Sequence, residues 1–352
     1  MSVWNSKIGT RSLEITWKKI NPKIKNRTTH SHTMANSFGF HTTGDELVEH
    51  FSDRVAGRIF LITGPSEGGI GAETAISLAC GNPSSLILVG RSVERIRPTI
   101  DAIRNINAAI QVKLVVADLA SMASVREAAQ KILDDASIPH IDVQINNAAI
   151  MACPYSLTKD GFELQLAAGH LGHFVLTNHI LPKLSKPGAR IINVSSMGNL
   201  ASGIRWDDPN FTKGSEYNEW DAYGQTKTAN VLFSIELNRR LASKGIGSFA
   251  LHPGSFSSGL QKFLTEQLVQ QAWDKIIGAD GVKPSPKSLQ QACATTLRAA
   301  LDPALEGEEG VWLADCQLTT DPTTVAPWAL NARGARRLWA LSEDLVGEKF
   351  DV

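Results

Sequence analysis

Residues Arg58–Gly71 read RIFLITGPSEGGIG: an apolar run, a glycine-rich turn and the first residues of a helix. A turn in that position presents unpaired backbone N–H groups and the positive end of a helix dipole to a phosphate. Gly64, Gly68, Gly69 and Gly71 permit positive φ and let backbone approach a ligand closely. An ordinary tight turn carries the same residues. The strand before the turn and the helix after it are what favour a phosphate cradle.

Outward from this stretch, strand-like and helix-like patterns alternate from Gly57 onward. Strands are expected near Ile59–Thr63, Leu86–Val89, Val112–Val116, Val143–Asn146, Ile191–Val194, Phe249–Leu251 and Val311–Leu313. Their apolar runs are nearly continuous, as when both faces of a parallel sheet are covered. Helical patterns lie between them. Gly71–Cys80 is rich in small apolar residues, Ser121 can cap SMASVREAAQKIL, Asp160–Leu184 is long enough for several turns, and Asp221–Ala242 has apolar spacing of three and four. Repeated βα units imply an α/β fold, a single Rossmann-type doubly wound parallel sheet with helices on both faces. Its ligand crevice lies at the C-terminal ends of the strands. The C-terminal ARRLWALSEDLVG reads as an amphipathic helix that faces the core.

The chain has 352 residues, 43% hydrophobic and 20% charged, enough for a large core. Lys plus Arg and Asp plus Glu are 35 each, so no global charge draws it to nucleic acid or an anionic surface. Cys80, Cys153, Cys293 and Cys316 are widely spaced, which fits a reducing compartment and neither a disulfide framework nor a zinc site. No apolar run approaches the roughly 18 residues that span a bilayer. Residues 1–40 form a basic extension, with Lys7, Arg11, Lys18, Lys19, Lys23, Lys25 and Arg27 against Glu14. They read as a disordered tail on a cytoplasmic protein; mitochondrial targeting by residues 1–33 is the competing reading. Residues 41–352 are expected to form one domain, with an irregular substrate loop at 255–286.

A residue about 20 positions beyond the glycine turn should read the adenosine ribose: an acid for the 2′-hydroxyl of NAD, or an arginine for the 2′-phosphate of NADP. Here LILVGR ends in Gly90 and Arg91, which favours NADP(H) over NAD(H). Asp118, in VVADL, is placed to meet adenine or to serve as a helix N-terminal acid. Tyr223 and Lys227, in YGQTK, share one helix face. An unperturbed tyrosine titrates near pH 10, and lowering that by about three units needs roughly 4 kcal/mol. A neighbouring ammonium and a cationic nicotinamide favour the phenolate. A tuned tyrosine can then exchange a proton with an alcohol or carbonyl while hydride moves at carbon. Ser196, ending RIINVSS, leaves a strand at the crevice and can hydrogen-bond the substrate oxygen.

These stretches resemble the short-chain dehydrogenase/reductases, most of all the branch containing retinol dehydrogenases and WW-domain oxidoreductases, in particular its fungal relatives. The likeness rests on ITGPSEGGIGAETA, GRS, ADLAS, NNAA, GHLGHFVLTN, RIINVSS, AYGQTKTANVLF, LHPG and WLADCQL, spread from Phe38 to Leu345. It implies that Gly64, Gly69, Ile70 and Gly71 line the pyrophosphate, that Asp118 touches adenine and that Asn147 lies along the cofactor. Tyr223 would be the acid/base. Lys227 would hold the ribose and lower the tyrosine pKa, and Ser196 would orient the substrate. Pro253, Gly254 and Ser258 would border the nicotinamide.

Two departures stand out. Four residues separate Gly64 from Gly69 where the family usually has three, which bears on how Ser66 or Glu67 meets the phosphates. Gly169 stands where the family usually has Asn, the fourth member of its catalytic set, whose backbone carbonyl holds a relay water. These departures motivate a competing reading: a catalytically weakened dinucleotide-binding regulatory protein.

His170 and His173 share a helix face but lack a third ligand, so no metal is expected. Trp206, Phe211, Tyr217 and Trp220, with Phe256, Leu260, Phe263, Leu264, Leu268 and Trp273, either line an apolar cleft or pack loops onto the sheet. A cleft of that kind suits a small lipophilic alcohol or carbonyl compound. A tailoring step on a secondary metabolite is one setting for it. Association with further copies of the chain is left open.

Overall fold

A computed structural model describes residues 38–352, apart from 185, 214–215, 279–280 and 282. The readings made of residues 1–37, as tail or targeting segment, lie outside the described residues. The unit Phe38–Val352 is built on eight strands and ten α-helices among the described residues. Its elements, in chain order, are α1 Gly44–His50, β1 Ile59–Thr63, α2 Ile70–Cys80, β2 Ser85–Gly90, α3 Val93–Ile106 and β3 Gln111–Val116. There follow α4 Met122–Asp134, β4 Val143–Asn146, α5 Leu164–Leu166, α6 Gly172–Ile180, β5 Arg190–Val194 and α7 Glu219–Leu241. The last are β6 Gly247–His252, α8 Glu266–Ile276, α9 Leu289–Leu301, β7 Trp312–Ala314, β8 Gln317–Leu318 and α10 Ala332–Val346.

The sheet order is β3-β2-β1-β4-β5-β6-β7-β8, and every pairing is parallel except that of β7 with β8. All seven expected strands are present. Each central strand is buried on both faces because successive side chains point to opposite sides. In β1, Phe60 and Ile62 join the core under α1, α2 and α9, while Ile59 and Leu61 join the core under α4, α6, α7 and α10. That is why the sequence run is continuous rather than alternating. Ser121 caps α4 as expected, accepting from Ser124 N at 3.4 Å. The C-terminal α10 is core-facing: Leu338 and Trp339 are buried, and Trp339 packs edge-on against Phe174.

Strand β8 was not expected. It is joined to β7 by Asp315 and Cys316, both in the left-handed region at φ 46° and 61°. Two-residue hairpins of that geometry usually announce themselves with Asn-Gly or Asp-Gly. Asp-Cys gives no such signal. The expected long helix over Asp160–Leu184 is also interrupted. A single π-turn, Ala167–Leu171, lies between α5 and α6. Turns of that width inside α-helices frequently mark functional sites.

The order of connection reverses between β1 and β4, so the crevice opens where those strands end. The glycine turn emerges there from β1.

Candidate active site

The glycine turn is shaped from below. Gly64 has φ +68°, and a Cβ on it would lie 2.9 Å from Ala148. Gly71 has no room either: its Cβ would meet Asn147 Nδ2 at 2.5 Å and Gly64 O at 2.7 Å. The extra residue is absorbed at the exposed tip. Gly69 N donates to Ser66 O at 3.1 Å, closing a tight turn with Gly68 at φ +72° and open space around it. Glu67 N donates to Arg95 O at 2.9 Å, and Thr99 Oγ1 to Pro65 O at 3.0 Å, so α3 braces the longer turn. Gly69 caps α2 without a side-chain acceptor, which leaves the first-turn N–H groups for a ligand.

One cavity of about 660 Å³ runs from this turn to Tyr223. Gly64, Ser66, Gly69, Ile70, Arg91, Asp118, Asn147, Ser196, Tyr223, Lys227, Pro253, Gly254 and Ser258 all line it. Gly71 does not; it lies behind the turn, where it lets α2 approach Gly64 and Asn147. Asn147 has a bracing task as well: its Nδ2 donates to Thr63 O at 2.9 Å and Gly64 O at 3.2 Å. Asp118 Oδ1 accepts from Ala120 N at 3.0 Å. Ser258 caps a short 3₁₀ turn through Leu260 N at 3.2 Å. Gly254, at φ +95°, is covered by the stem of Lys287, which a Cβ would meet at 2.5 Å.

Tyr223 lies in the first turns of α7, with Asn218 capping the helix. Its ring rests on Gly198, where a Cβ would be 2.6 Å from Tyr223 Cε1. Ser196 Oγ accepts from Gly198 N at 3.0 Å, which turns the chain so that serine and phenol share one end of the cavity. Lys227 Nζ donates to Val194 O at 2.9 Å and stands 5.5 Å from the Tyr223 ring centre. Burial pushes the Tyr223 phenol up to about 12, opposed by the Ser196 hydroxyl. Burial alone pulls the Lys227 ammonium down to about 7. The lowered phenol expected from the sequence is therefore not a property of these residues by themselves. Both groups are desolvated, and no carboxylate offsets the lysine.

Several contributors were missed. Thr63, at the end of β1, receives Asn147 N at 2.9 Å and Ala148 N at 3.0 Å, and contacts His173 Nε2 at 2.8 Å. His252 lines the cavity, and its Nδ1 accepts from Met197 N at 3.3 Å. Arg95 joins Arg91 along the wall nearest β2. Only the strand ends on which Thr63 and His252 sit could have flagged them. His170 and His173 serve separate ends: His170 meets Ser342 Oγ at 2.8 Å and packs on Phe233, away from Thr63. Among the described residues no group of three or more His, Cys, Asp or Glu is arranged to hold a metal ion.

The aromatic residues divide. Trp220, Phe256, Leu260, Phe263, Leu264 and Trp273 line the cavity. Trp206 and Phe211 instead receive Arg337 and Arg205 on their faces, and Tyr217 bonds Cys153 O at 3.0 Å. The second group packs loops. Helix α8 closes the apolar end, with Trp220 Nε1 donating to Leu268 O at 2.8 Å and Lys275 paired with Asp221 at 2.5 Å.

A family model described as short chain dehydrogenase matches residues 36–208. Short-chain dehydrogenase/reductase prx1 of Penicillium rubens is 37% identical over 302 residues, covering 82% of this chain and 85% of that protein. The chain belongs to the short-chain dehydrogenase/reductase family. Within this family it falls in the retinol dehydrogenase-like branch: human retinol dehydrogenase 13 is 35% identical, over 83% of this chain and 86% of that protein. A solved structure from Mycobacterium paratuberculosis is 33% identical, with a TM-score of 0.63 over 84% of this chain and 96% of that one. Members of this family are oxidoreductases that bind a nicotinamide dinucleotide. The residues present fit one: a side-chain-free cradle at Gly64, uncapped N–H groups on α2, and a cavity that continues to Ser196, Tyr223 and Lys227.

Proposed function

We propose that this protein is an NADP(H)-dependent oxidoreductase that interconverts an alcohol and a carbonyl on a small lipophilic substrate. The reading places the activity in one domain over residues 41–352. The observation that carries it is the single cavity with Arg91 at one end and Ser196, Tyr223 and Lys227 at the other. Bound there, NADPH supplies the hydride. Tyr223 gives its phenolic proton to the substrate oxygen as that oxygen becomes an alcohol, and takes a proton in the reverse direction. Ser196 hydrogen-bonds the same oxygen. Lys227, buried beside the ring, is placed to hold the ribose and to restore charge near the phenol.

Arg91 and Arg95 support the choice of NADP(H), since both line the cavity and are exposed for a 2′-phosphate. Met151, Val269, Ile276 and Ile277 add to the apolar wall around Trp220 and Trp273, which supports a lipophilic substrate. A tailoring step on a secondary metabolite is the setting its likeness to fungal relatives suggests.

The test is a panel of aliphatic aldehydes, cyclic ketones and a retinoid aldehyde, each offered with NADPH and with NADH. Turnover with NADPH is expected, and Arg91→Ala should lower the NADPH preference by about 10-fold or more while leaving NADH nearly unchanged. Tight NADPH binding with no reduction across the panel would favour the regulatory reading. An undiminished preference in the variant would remove Arg91 from the account.

A further inference from the structure

Gly169 stands where the family usually has Asn, and the structure shows what surrounds it. Gly169 lies within the π-turn Ala167–Leu171, facing α7. A Cβ there would be 2.5 Å from Thr226 Cγ2, between Tyr223 and Lys227 in sequence. Thr226 cannot turn away freely, because its Oγ1 donates to Ala222 O at 2.9 Å. A side chain at 169 would force the Thr226 side chain to shift, and so Gly169 has only its backbone to offer.

That backbone carbonyl has a partner. His173 Nδ1 lies 3.2 Å from Gly169 O, and its Nε2 lies 2.8 Å from Thr63 Oγ1. The direction of these bonds can be deduced. Thr63 Oγ1 already accepts two peptide N–H groups, from Asn147 and Ala148. Both lone pairs are used, so its hydroxyl hydrogen goes to Nε2. The proton of the neutral ring is then on Nδ1, which donates to Gly169 O. Burial keeps the ring neutral, pulling it down to about 4. Two peptide N–H groups, a threonine hydroxyl, an imidazole and a carbonyl thus form one directed chain. It runs from the root of the glycine turn to the π-turn, where Gly169 packs on Thr226 of the helix that carries Tyr223 and Lys227.

We infer that His173 is a positioning residue: it fixes the Gly169 carbonyl within the π-turn that packs on Thr226 of the catalytic helix, and ties that carbonyl to the root of the glycine turn through Thr63. The proposal rests on Tyr223 and Lys227 being the proton-transferring pair. His173 touches neither substrate nor cofactor. It acts by holding that carbonyl in place within the π-turn. Gly169 keeps the backbone carbonyl that an asparagine would offer at this position, and His173 holds it in place.

Two measurements test it. His173→Asn keeps an N–H donor near the Nδ1 position, whereas His173→Leu keeps neither donor nor acceptor. With NADPH and decanal as probes, the Leu variant should lose at least about 10-fold in kcat while its KM for NADPH stays within about twofold. The Asn variant should recover most of the loss. Equal kcat in the two variants, or a KM for NADPH that rises in step with the loss, would overturn the proposal. The second readout needs no turnover. In protein labelled with ¹⁵N-histidine, the signal missing from the Asn variant should report a neutral ring protonated on Nδ1 at neutral pH. An Nε2–H ring or an imidazolium would overturn the assignment even if the Leu variant folds poorly. No turnover of decanal by the unaltered protein, with Nδ1–H in place, would count against the proposed function and leave the His173 chain standing.

Discussion

At the scale of single residues, the site is held together by groups that are costly to bury. Lys227 is the clearest case. It is buried with a carbonyl acceptor at 2.9 Å, and burial pulls it down to about 7. Its folded pKa lies below its unfolded value, so the folded chain binds fewer protons between the two, and the cost of burying the lysine grows as pH falls from about 10.5 toward 7. Lys227→Met should therefore stabilise the cofactor-free protein by roughly 1–3 kcal/mol near pH 7, with the gain shrinking toward pH 10, while abolishing turnover. Urea unfolding at several pH values checks this, and a variant less stable than the parent at pH 7 would refute it. The sequence showed that Tyr223 and Lys227 share a face. It could not show that burial leaves both in their neutral-favouring range, because that depends on every element packed around them. His173 and Thr63 were illegible for the same reason. A histidine three residues from another suggests a metal pair, and only the fold reveals that the two rings point to different partners.

At the scale of elements, helix α8 is held by few contacts, and its docking is open to a direct test. Of its eleven residues only Ala272 is buried, so its docking depends on Leu264, Leu268 and Ile276 packing on Trp220 and on the two polar clasps. Trp220→Phe removes the 2.8 Å bond to Leu268 O while keeping an aromatic ring against Tyr223. About 1 kcal/mol of docking should be lost. Faster amide exchange in residues 266–276 and a severalfold rise in KM for a lipophilic carbonyl, with kcat little changed, are the expected results. Unchanged exchange would show that the clasp does not hold the helix. The sequence marked this stretch as an irregular loop at 255–286. It could not show which aromatics face the cavity, since Trp206 and Trp220 are equally aromatic and only one lies on the inner side of α7's start. The strands were readable because a buried parallel sheet leaves an unbroken apolar run. Strand β8 was not, because its turn uses Asp315 and Cys316 in place of glycine.

At the scale of the whole molecule, the two-faced core fixes how the protein responds to acid. His170 and His173 are buried in it and His252 is buried at the cavity wall, and burial pulls them down to about 3, 4 and 4. Each has a folded pKa below its unfolded value near 6.5, so the unfolded chain binds more protons between those limits. Stability is then full above about pH 6.5 and falls as pH drops toward 4, on the order of 3 kcal/mol per histidine once the drop is complete. Urea midpoints at pH 7.5, 6 and 5 should decline steeply. A flat profile would mean that these rings are wetter than the fold implies. The doubly wound sheet, the crevice and the family were legible in the sequence because glycine turn, strand-end serine and YGQTK fall in a fixed order along it. The longer glycine turn was legible as a departure, but not as an outward tip at Glu67 and Gly68 braced by Arg95. The central claim is that Tyr223 exchanges a proton at the far end of a dinucleotide cavity. It is tested most directly by measuring NADPH binding and carbonyl-dependent NADPH consumption side by side for the parent protein and Tyr223→Phe. The account predicts binding unchanged within about twofold and turnover reduced by about 10²–10⁴-fold; equal turnover by the two proteins would contradict it.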